Sequence, residues 1–298
     1  MIKRVFVTAF SLPLLACFAS LANAQLGMLS TEGRTELTRE WKGERFDDGR
    51  PKVPDSLLED FKTVSAEEAW GVLQGHGYKN QFESGWHVIN PGERLVGRVV
   101  TAVFMPLRPD VNAVINERGK REHRIGAHIS WPIDVLVPND VLVVDLFGKI
   151  TYAGDNLATA IFAKSHTGLI VDGTVRDETG ISEIKGMRVF VRGVHPSGFH
   201  DATLMGINVP IRIGQVTVMP GDIAVSDPEG ISFIPSSLAQ EVVDKAKMTH
   251  FVDEWGHMKL REGKYTPGQI DGKWTNEMVE EFNKWLEQKG TKLRMAKQ

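Results

Sequence analysis

Residues 169–177, LIVDGTVRD, join a short apolar run to a charged end, and this stretch decides how the surrounding chain can fold. A nearly continuous apolar run of this length is typical of a strand that is covered on both faces of a sheet. Residues 141–146, VLVVDL, have the same character, and the sequence between the two runs predicts a helix over 157–164. Strand, helix and strand in this order predict a βαβ unit and a partly parallel sheet.

Charged residues follow these runs at the places where α/β folds bind ligands, the carboxyl ends of parallel strands. Twenty residues separate Asp155 from the adjacent pair Arg176 and Asp177. Carboxylates suit Mg²⁺ or Mn²⁺, and a guanidinium offers a planar fork of donors to a carboxylate or keto oxygen. The amides of Asn156 and Leu157 would begin the helix, where a carboxylate can bind. A structural salt bridge or helix cap is the alternative interpretation, because paired charges are common near helix starts.

Composition limits the classes of protein to be considered. The chain has 298 residues, of which 42% are hydrophobic and 24% are charged, so it should bury a substantial core. Its formal net charge is -3 and its pI is about 6.3. This balance gives no electrostatic reason to expect a nucleic-acid partner.

The N-terminal 24 residues have the pattern of a secretory signal peptide. A basic start precedes an apolar run over 5–21, and a small-x-small cleavage signal ends at Ala24. An uncleaved membrane anchor and lipoprotein processing at Cys17 are the alternatives. Since Cys17 is the only cysteine, cleavage after Ala24 would leave no disulfide and no cysteine nucleophile. We expect a periplasmic or secreted protein that is free of the membrane after cleavage.

The chain divides into four parts by composition: a signal peptide over 1–24, a polar N-terminal arm over 25–57, a central domain over 58–250 and a C-terminal helical tail over 251–298. The arm lacks apolar periodicity, which predicts an extended segment over the domain or a neighbouring subunit. Residues 107–130 are charged and irregular, and we interpret them as an insertion or lid.

Several motifs between about residues 64 and 235 match one family in the same order. They are LVGRVVT at 95–101, VLVVD at 141–145, GDNLA at 154–158, VDGTVRD at 171–177, VRGVHP at 191–196 and PGD at 220–222. This span resembles the RraA-like family, which contains the 4-hydroxy-4-methyl-2-oxoglutarate aldolases and the regulators of ribonuclease E activity. An aspartate at position 155, twenty residues before the pair Arg176 and Asp177, resembles the aldolase branch. The ribonuclease regulators typically have glycine in place of this aspartate. One departure is Asn139, which stands where the family usually has glycine.

The resemblance implies an α/β fold, an αββα-type sandwich with a partly parallel central sheet, here with the N-terminal arm and the C-terminal helical tail added. It also implies a homotrimer or homohexamer. In such a protein Asp177 would hold the divalent metal, Mg²⁺ or Mn²⁺, directly or through water. Arg176 would polarise the keto oxygen of the substrate and then the developing enolate.

The remaining roles also come from the resemblance. The amides of Asn156 and Leu157 would bind the substrate carboxylate, and Asp155 would position water or take a proton from the substrate hydroxyl. An acidic residue of the neighbouring subunit completes the family's site, and Glu254 is the candidate in this chain. A metal and a guanidinium aimed at an enolate oxygen stabilise its charge.

The resulting hypothesis is a metal-dependent lyase of the class II aldolase type that cleaves a 4-hydroxy-2-keto acid to pyruvate. Oxaloacetate decarboxylation is a plausible side activity, since both reactions pass through the pyruvate enolate. Two alternatives stay open: a lyase or hydratase that acts on a sugar-derived acid with the same metal site, and a non-catalytic binding protein similar to the ribonuclease regulators. The extra segments around the motifs leave the substrate undetermined.

Overall fold

The computed structural model describes residues 29–297, so the proposed signal peptide and Cys17 lie outside the described part. Its helices are α1 Thr31–Leu37, α2 Asp55–Phe61, α3 Ala66–Gly75, α4 Pro109–Arg121, α5 Trp131–Asp134, α6 Asp155–Ser165, α7 Glu178–Ser182, α8 Ala239–Arg261, α9 Pro267–Ile270 and α10 Asn276–Gln288. Its strands are β1 Phe82–Glu83, β2 His87–Ile89, β3 Val96–Pro106, β4 Asp140–Asp145, β5 Gly168–Val175, β6 Arg188–Val194, β7 Ala202–Ile207, β8 Ile211–Ile213, β9 Val216–Val218, β10 Ile223–Ser226 and β11 Ile231–Ile234. None of the helices between residues 29 and 297 is both long and apolar enough to cross a membrane.

Nine strands form one mixed sheet in the order β1-β11-β10-β3-β4-β5-β6-β2, with β7 paired to β3. The strands β3, β4, β5 and β6 are parallel to one another. The helices α6 and α7 connect β4 to β5 and β5 to β6, so the expected βαβ order and partly parallel sheet are confirmed. Every residue of β4 is buried, as expected for a strand that is covered on both faces.

The long strand β3 divides its pairing between two partners. Residues Val96–Arg98 pair with β10, whereas residues Ala102–Pro106 pair with β7, and the register of this second pairing shifts between Val103 and Phe104. A shift of this kind bends a strand and ends regular pairing. As a result, β7 lies at the carboxyl end of the parallel strands and β10 lies at their amino end.

Side-chain alternation along the parallel strands creates two apolar layers. On one face, Leu142 and Val144 of β4 pack with α4, α5, α6 and α7. On the other face, Val141 and Val143 pack with the β8–β9 hairpin. A third apolar cluster joins α2, α3 and α8 to β10 and β11. The architecture is thus the mixed α/β sandwich expected from the sequence.

The charged segment 107–130, predicted to be irregular, contains the 13-residue helix α4. Proline in the first turn supplies a helical φ angle, and Ile115 is buried in the cluster beneath the helix. Gly119 lets the helix approach Trp131, because an added Cβ would lie 2.3 Å from the indole ring. The charged residues of α4 lie mainly on its outer face. Few apolar residues therefore recur at helical spacing, and the sequence alone does not indicate a helix.

The N-terminal arm is less extended than predicted, since it contains α1 and is attached to the sheet by buried charges. The guanidinium of Arg50 pairs with the carboxylate of Asp140 at the start of β4, at 2.9 and 3.0 Å. Phe46 covers this pair, with its ring centroid 4.3 Å from the Arg50 guanidinium carbon. Just before Asp140, Asn139 has a φ of 66°, so asparagine adopts the left-handed conformation for which glycine is the usual residue.

The C-terminal tail is helical, as expected. Its aromatic core includes Trp255, Trp274 and Phe282. The proposed boundary after residue 250 falls inside α8, a single helix of 23 residues. The first half of α8 packs on the third cluster through residues such as Val243, and the second half carries Trp255. Because α8 is continuous across this boundary, the division of the chain at residues 24, 57 and 250 stays a prediction.

Candidate active site

The two charged motifs are brought together because the segment 150–154 runs beside the end of β5. Thr151 and Thr174 form a parallel bridge. The amide of Tyr152 donates to the Thr174 carbonyl at 2.8 Å, and the amide of Arg176 donates to the Ala153 carbonyl at 2.9 Å. This pairing fixes the start of α6 next to the residues that follow β5.

Gly154 shows how close the two motifs are. A Cβ added at Gly154 would lie 2.4 Å from Oδ2 of Asp177 and 3.1 Å from Nε of Arg176. Side chains do not approach one another so closely, so glycine at this position leaves the Asp177 carboxylate where it is, and any larger residue would displace it. The carboxylate of Asp177 and the guanidinium of Arg176 therefore lie over the first turn of α6.

Asp155 lies at the same place, on the side of α7. A Cβ added at Gly180 would come within 2.9 Å of both Cβ and Oδ2 of Asp155. Asp155 is half-buried, and its Oδ1 accepts a hydrogen bond of 2.8 Å from the Asn156 amide. The structure thus places Asp155, Asn156 and Leu157 in the first turn of α6, beside Arg176 and Asp177.

Asp177 has an unusual backbone and an accessible side chain. Its φ and ψ are 57° and 42°, in the left-handed region, which is uncommon for residues other than glycine and is often found at functional sites. The side chains of Arg176 and Asp177 are 45% and 41% exposed, and Nε lies 3.5 Å from Oδ2. An exposed pair of this kind contributes little to stability, so both groups are available to a ligand.

The donor set fits a divalent cation that keeps most of its water. Within residues 29–297 no three histidine, cysteine or acidic side chains form a cluster that could hold a metal ion. Mg²⁺ commonly binds through one or two carboxylates and retains several waters. The accessible carboxylate of Asp177, above a helix turn that has no side chain at Gly154, meets that requirement.

Two other acidic residues at strand ends do not join this group. Asp145 and Asp172 are neighbours on β4 and β5 but point to the opposite face. Asp172 accepts a hydrogen bond of 2.7 Å from Nε of Arg192. Burial raises the pKa of Asp145 above its usual range, and the nearby Asp172 carboxylate raises it further. We assign this pair to the structure of the sheet.

Glu254 is not brought to Asp155 within one chain. It lies on the half of α8 that packs in the C-terminal aromatic core, and it pairs with Lys289, just beyond α10, whereas α6 packs in the cluster that contains Leu142 and Val144. Its predicted role requires a second copy of the chain, and it stays a prediction.

A chain of hydroxyl groups that the sequence did not suggest runs beside the site. Thr151 Oγ1 lies 2.9 Å from Thr174 Oγ1 and 3.0 Å from Ser197 Oγ. Ser197 Oγ in turn lies 2.9 Å from Nδ1 of His195. These residues join the segment before Gly154, the end of β5 and the loop after β6. The one signal in the sequence was the position of His195 after β6, in the motif VRGVHP.

The fold and this strand-end site define an α/β protein of the Aldolase/RraA class. A family model with that description, named RraA-like, matches residues 63–232, more than half of the 298 residues. The chain belongs to the RraA-like family, which confirms the resemblance inferred from its motifs.

The similar proteins include several with the name "Putative 4-hydroxy-4-methyl-2-oxoglutarate aldolase", among them proteins from Halalkalibacterium halodurans and Shewanella oneidensis. The protein from Halalkalibacterium halodurans is 34% identical over 119 residues, which cover 39% of this chain and 56% of the relative. The protein from Shewanella oneidensis is 35% identical over 100 residues, which cover 33% of this chain and 60% of the relative. The chain thus spans less than two thirds of the length of either relative.

Among solved structures, the chain is similar to Streptomyces coelicolor RraAS2, described as an unusual member of the RNase ES inhibitor RraA protein family. The sequence identity is 27% and the TM-score is 0.58. The superposition covers 70% of this chain and 98% of RraAS2.

Proposed function

We propose that the chain is a divalent-metal-dependent carbon–carbon lyase that cleaves a 4-hydroxy-2-keto acid to pyruvate. The observation that carries the proposal is the convergence of Asp155, Arg176 and Asp177 around Gly154. An acid beside an accessible guanidinium and a second acid, at the start of a helix, offers a base, an electrophile and a cation ligand in one place. The names of the two aldolase relatives support the same class of reaction.

Substrate binding would use separate positive or hydrogen-bond-donating groups for the carboxylate and for the adjacent keto oxygen of the 2-keto acid. The first-turn amides of α6, at Asn156 and Leu157, would donate to the carboxylate at the positive end of the helix dipole, and the Asn156 amide would leave its contact with Asp155 Oδ1 to do so. Arg176 would donate to the keto oxygen, and Asp177 would hold Mg²⁺ or Mn²⁺, directly or through water. When bound, the cation supplies positive charge that stabilises the enolate oxygen.

Cleavage then requires one proton to move. Asp155, directly or through a water, would take the proton from the 4-hydroxyl as the bond between C3 and C4 breaks. The electron pair passes to the pyruvate enolate, and the former C4 leaves as a carbonyl compound. Arg176 holds the enolate oxygen while C3 receives the proton from Asp155. Oxaloacetate decarboxylation would form the same enolate by loss of CO₂ and needs no hydroxyl proton, so it is a natural side activity.

The decisive experiment is an assay of pyruvate release from oxaloacetate and a panel of 4-hydroxy-2-keto acids, including sugar-derived ones. The variants are Asp155→Asn and Arg176→Ala, tested with Mg²⁺ and with EDTA. Arg294→Ala is the matched control, because Arg294 is 44% exposed and also pairs with an acid. We expect EDTA and both site variants to abolish turnover. Turnover that is unaffected by EDTA and by both substitutions would exclude the proposal.

The site would be completed by a neighbouring subunit in a trimer or hexamer, with Glu254 as the contributed acid. Mixing two inactive variants tests this arrangement. If Asp155→Asn and Glu254→Gln subunits exchange, some sites contain both native residues, and activity returns. Activity of Glu254→Gln alone, equal to that of the native chain, would remove Glu254 from the mechanism. A periplasmic or secreted location remains part of the proposal and rests on the signal-like N-terminus.

A non-catalytic binding role is the second candidate, and the similarity to RraAS2 favours it. The RraAS2 description places that protein among inhibitors of a ribonuclease. A chain that turns over no substrate in the panel would favour this role, whereas turnover that depends on Asp155 would exclude it.

A further inference from the structure

A cavity lies at the amino end of the parallel strands, away from Asp155. It has a volume of about 470 Å³, within the range of about 300–1,000 Å³ that is typical of small-molecule sites. Asp222 is part of its wall and immediately precedes β10, whose first residue, Ile223, pairs with Arg98 near the amino end of β3. The walls come from the end of α1, the segment before β1, the strand β9 and the turn before α8.

The cavity wall contains a buried carboxyl group that lacks a charged partner. Asp222 is 5% exposed, and its Oδ2 accepts a hydrogen bond of 2.9 Å from the Met219 amide. Within residues 29–297 no cation or hydroxyl group pairs with this carboxyl, so one oxygen remains for a ligand. Burial raises the pKa of Asp222 to about 8. The group is therefore mostly protonated at neutral pH, and it can both donate and accept a hydrogen bond.

One aromatic wall is held in place by the N-terminal arm. The indole of Trp41 donates to the Glu44 carbonyl at 2.7 Å. Gly43 packs against the same ring, because an added Cβ would lie 2.4 Å from it. Tyr78, 39% exposed, supplies a second aromatic ring to the cavity. Trp41 lies outside the span 63–232 that matches the family model.

The remaining polar groups of the wall are mainly neutral. Gln81 is buried and fixed, since its Nε2 donates to the carbonyls of Thr217 and Phe233 at 3.3 and 3.0 Å. Its amide oxygen has no partner among the described residues. Asn80, Ser236 and Ser237 add an amide and two hydroxyl groups. The cavity thus presents many neutral donors and acceptors around a carboxyl group.

We propose that this cavity is a binding site for a neutral polyhydroxylated molecule, such as a mono- or disaccharide. Aromatic rings pack against the CH faces of a sugar, and the amides, hydroxyl groups and carboxyl group match its hydroxyl groups. Glu40 and Lys79 both line the cavity, so one charge of each sign faces the ligand and neither a cation nor an anion is favoured. The proposal is independent of the lyase activity.

Saturation-transfer NMR with glucose, xylose and cellobiose as probes tests the site on the full chain. We expect signals from at least one probe, with a Kd on the order of 1 mM, and a tenfold loss for each hydrogen bond that is removed. The variants are Asp222→Ala, which removes the whole carboxyl group from the cavity wall, and Asn80→Ala, which alters an exposed residue. Gln240→Ala, on the exposed face of α8, is the control and should bind like the native chain.

Three outcomes would overturn the proposal. They are the absence of signal from all three sugars, equal signals from the native chain and both variants, and stronger binding of choline or acetate than of any sugar. Circular dichroism would show whether Asp222→Ala folds. If it does not fold, Asn80→Ala and Gly43→Ala decide the question, since Gly43→Ala displaces the Trp41 ring without touching Asp222.

Discussion

The guanidinium of Arg50 donates to both carboxylate oxygens of Asp140, at 2.9 and 3.0 Å, and the two side chains are 2% and 0% exposed. The pair joins the N-terminal arm to the first residue of a central strand. Removal of Arg50 leaves the buried Asp140 carboxylate with Arg98, whose Nε lies 3.5 Å away, and with the Val137 amide. We therefore expect Arg50→Ala to lower the free energy of unfolding by about 3 kcal/mol, the low end for a broken buried pair, measured by urea denaturation.

Two further variants separate charge from packing at this pair. Arg39→Ala removes an exposed arginine, 77% accessible, and should change stability by less than about 0.5 kcal/mol. Arg50→Met combined with Asp140→Asn removes both charges and should recover part of the loss. If Arg50→Ala is as stable as Arg39→Ala, the buried pair does not hold the arm.

Gly154 is expected to be essential for activity and not for folding. Gly154→Ala places a methyl group against the carboxylate of Asp177, which must then move. A displacement of about 1 Å in a site can cost on the order of 100-fold in rate, and Mn²⁺ affinity should fall as well. Gly71→Ala is the control, because nothing lies within 4 Å of its added Cβ. A fully active Gly154→Ala enzyme would contradict the proposed geometry.

The hydroxyl chain beside the site should position the segment that leads to Asp155. Thr151→Val keeps the shape of the side chain and removes its contacts with Thr174 and Ser197. We expect kcat to fall about tenfold with KM little changed, and stability to fall by about 1 kcal/mol per lost bond. Thr151→Ser should restore kcat, because it restores the hydroxyl group. A change in stability without a change in kcat would limit Thr151 to a structural role.

The buried carboxyl group of Asp222 predicts a specific dependence of stability on pH. Its pKa is raised from 3.8 to about 8 in the folded protein, so between these values the folded state holds a proton that the unfolded state releases. The free energy of unfolding should therefore fall as pH rises through this window and level off above it. Asp222→Asn should lack this component. Asp145 shifts in the same direction but is present in both proteins, so the difference between them isolates Asp222.

The proximity of Asp155 to Arg176 and Asp177 could be anticipated because the carboxyl ends of neighbouring parallel strands meet at one edge of a sheet. The apolar runs of β4 and β5 and the helix between them were visible in the sequence. The roles of these residues in catalysis remain predictions, since proximity does not establish a reaction.

Other features depend on contacts that are distant in sequence. Thr151 and Ser197 are 46 positions apart, and both are ordinary loop residues until the fold brings them together. The strand β7 was not predicted, because ATLMGI is short, contains a glycine and pairs only with the far half of β3. The helix α4 was obscured by its charged outer face.

The helix α8 is shared by two apolar cores, with Val243 in one and Trp255 in the other. Each residue of an α-helix turns the chain by about 100° and advances it by about 1.5 Å. The insertion or loss of a single residue between these two positions would therefore rotate the aromatic tail by more than a quarter of a circle relative to the sheet. The length of this part of α8 sets the orientation of the tail, so the two cores are constrained to keep their spacing.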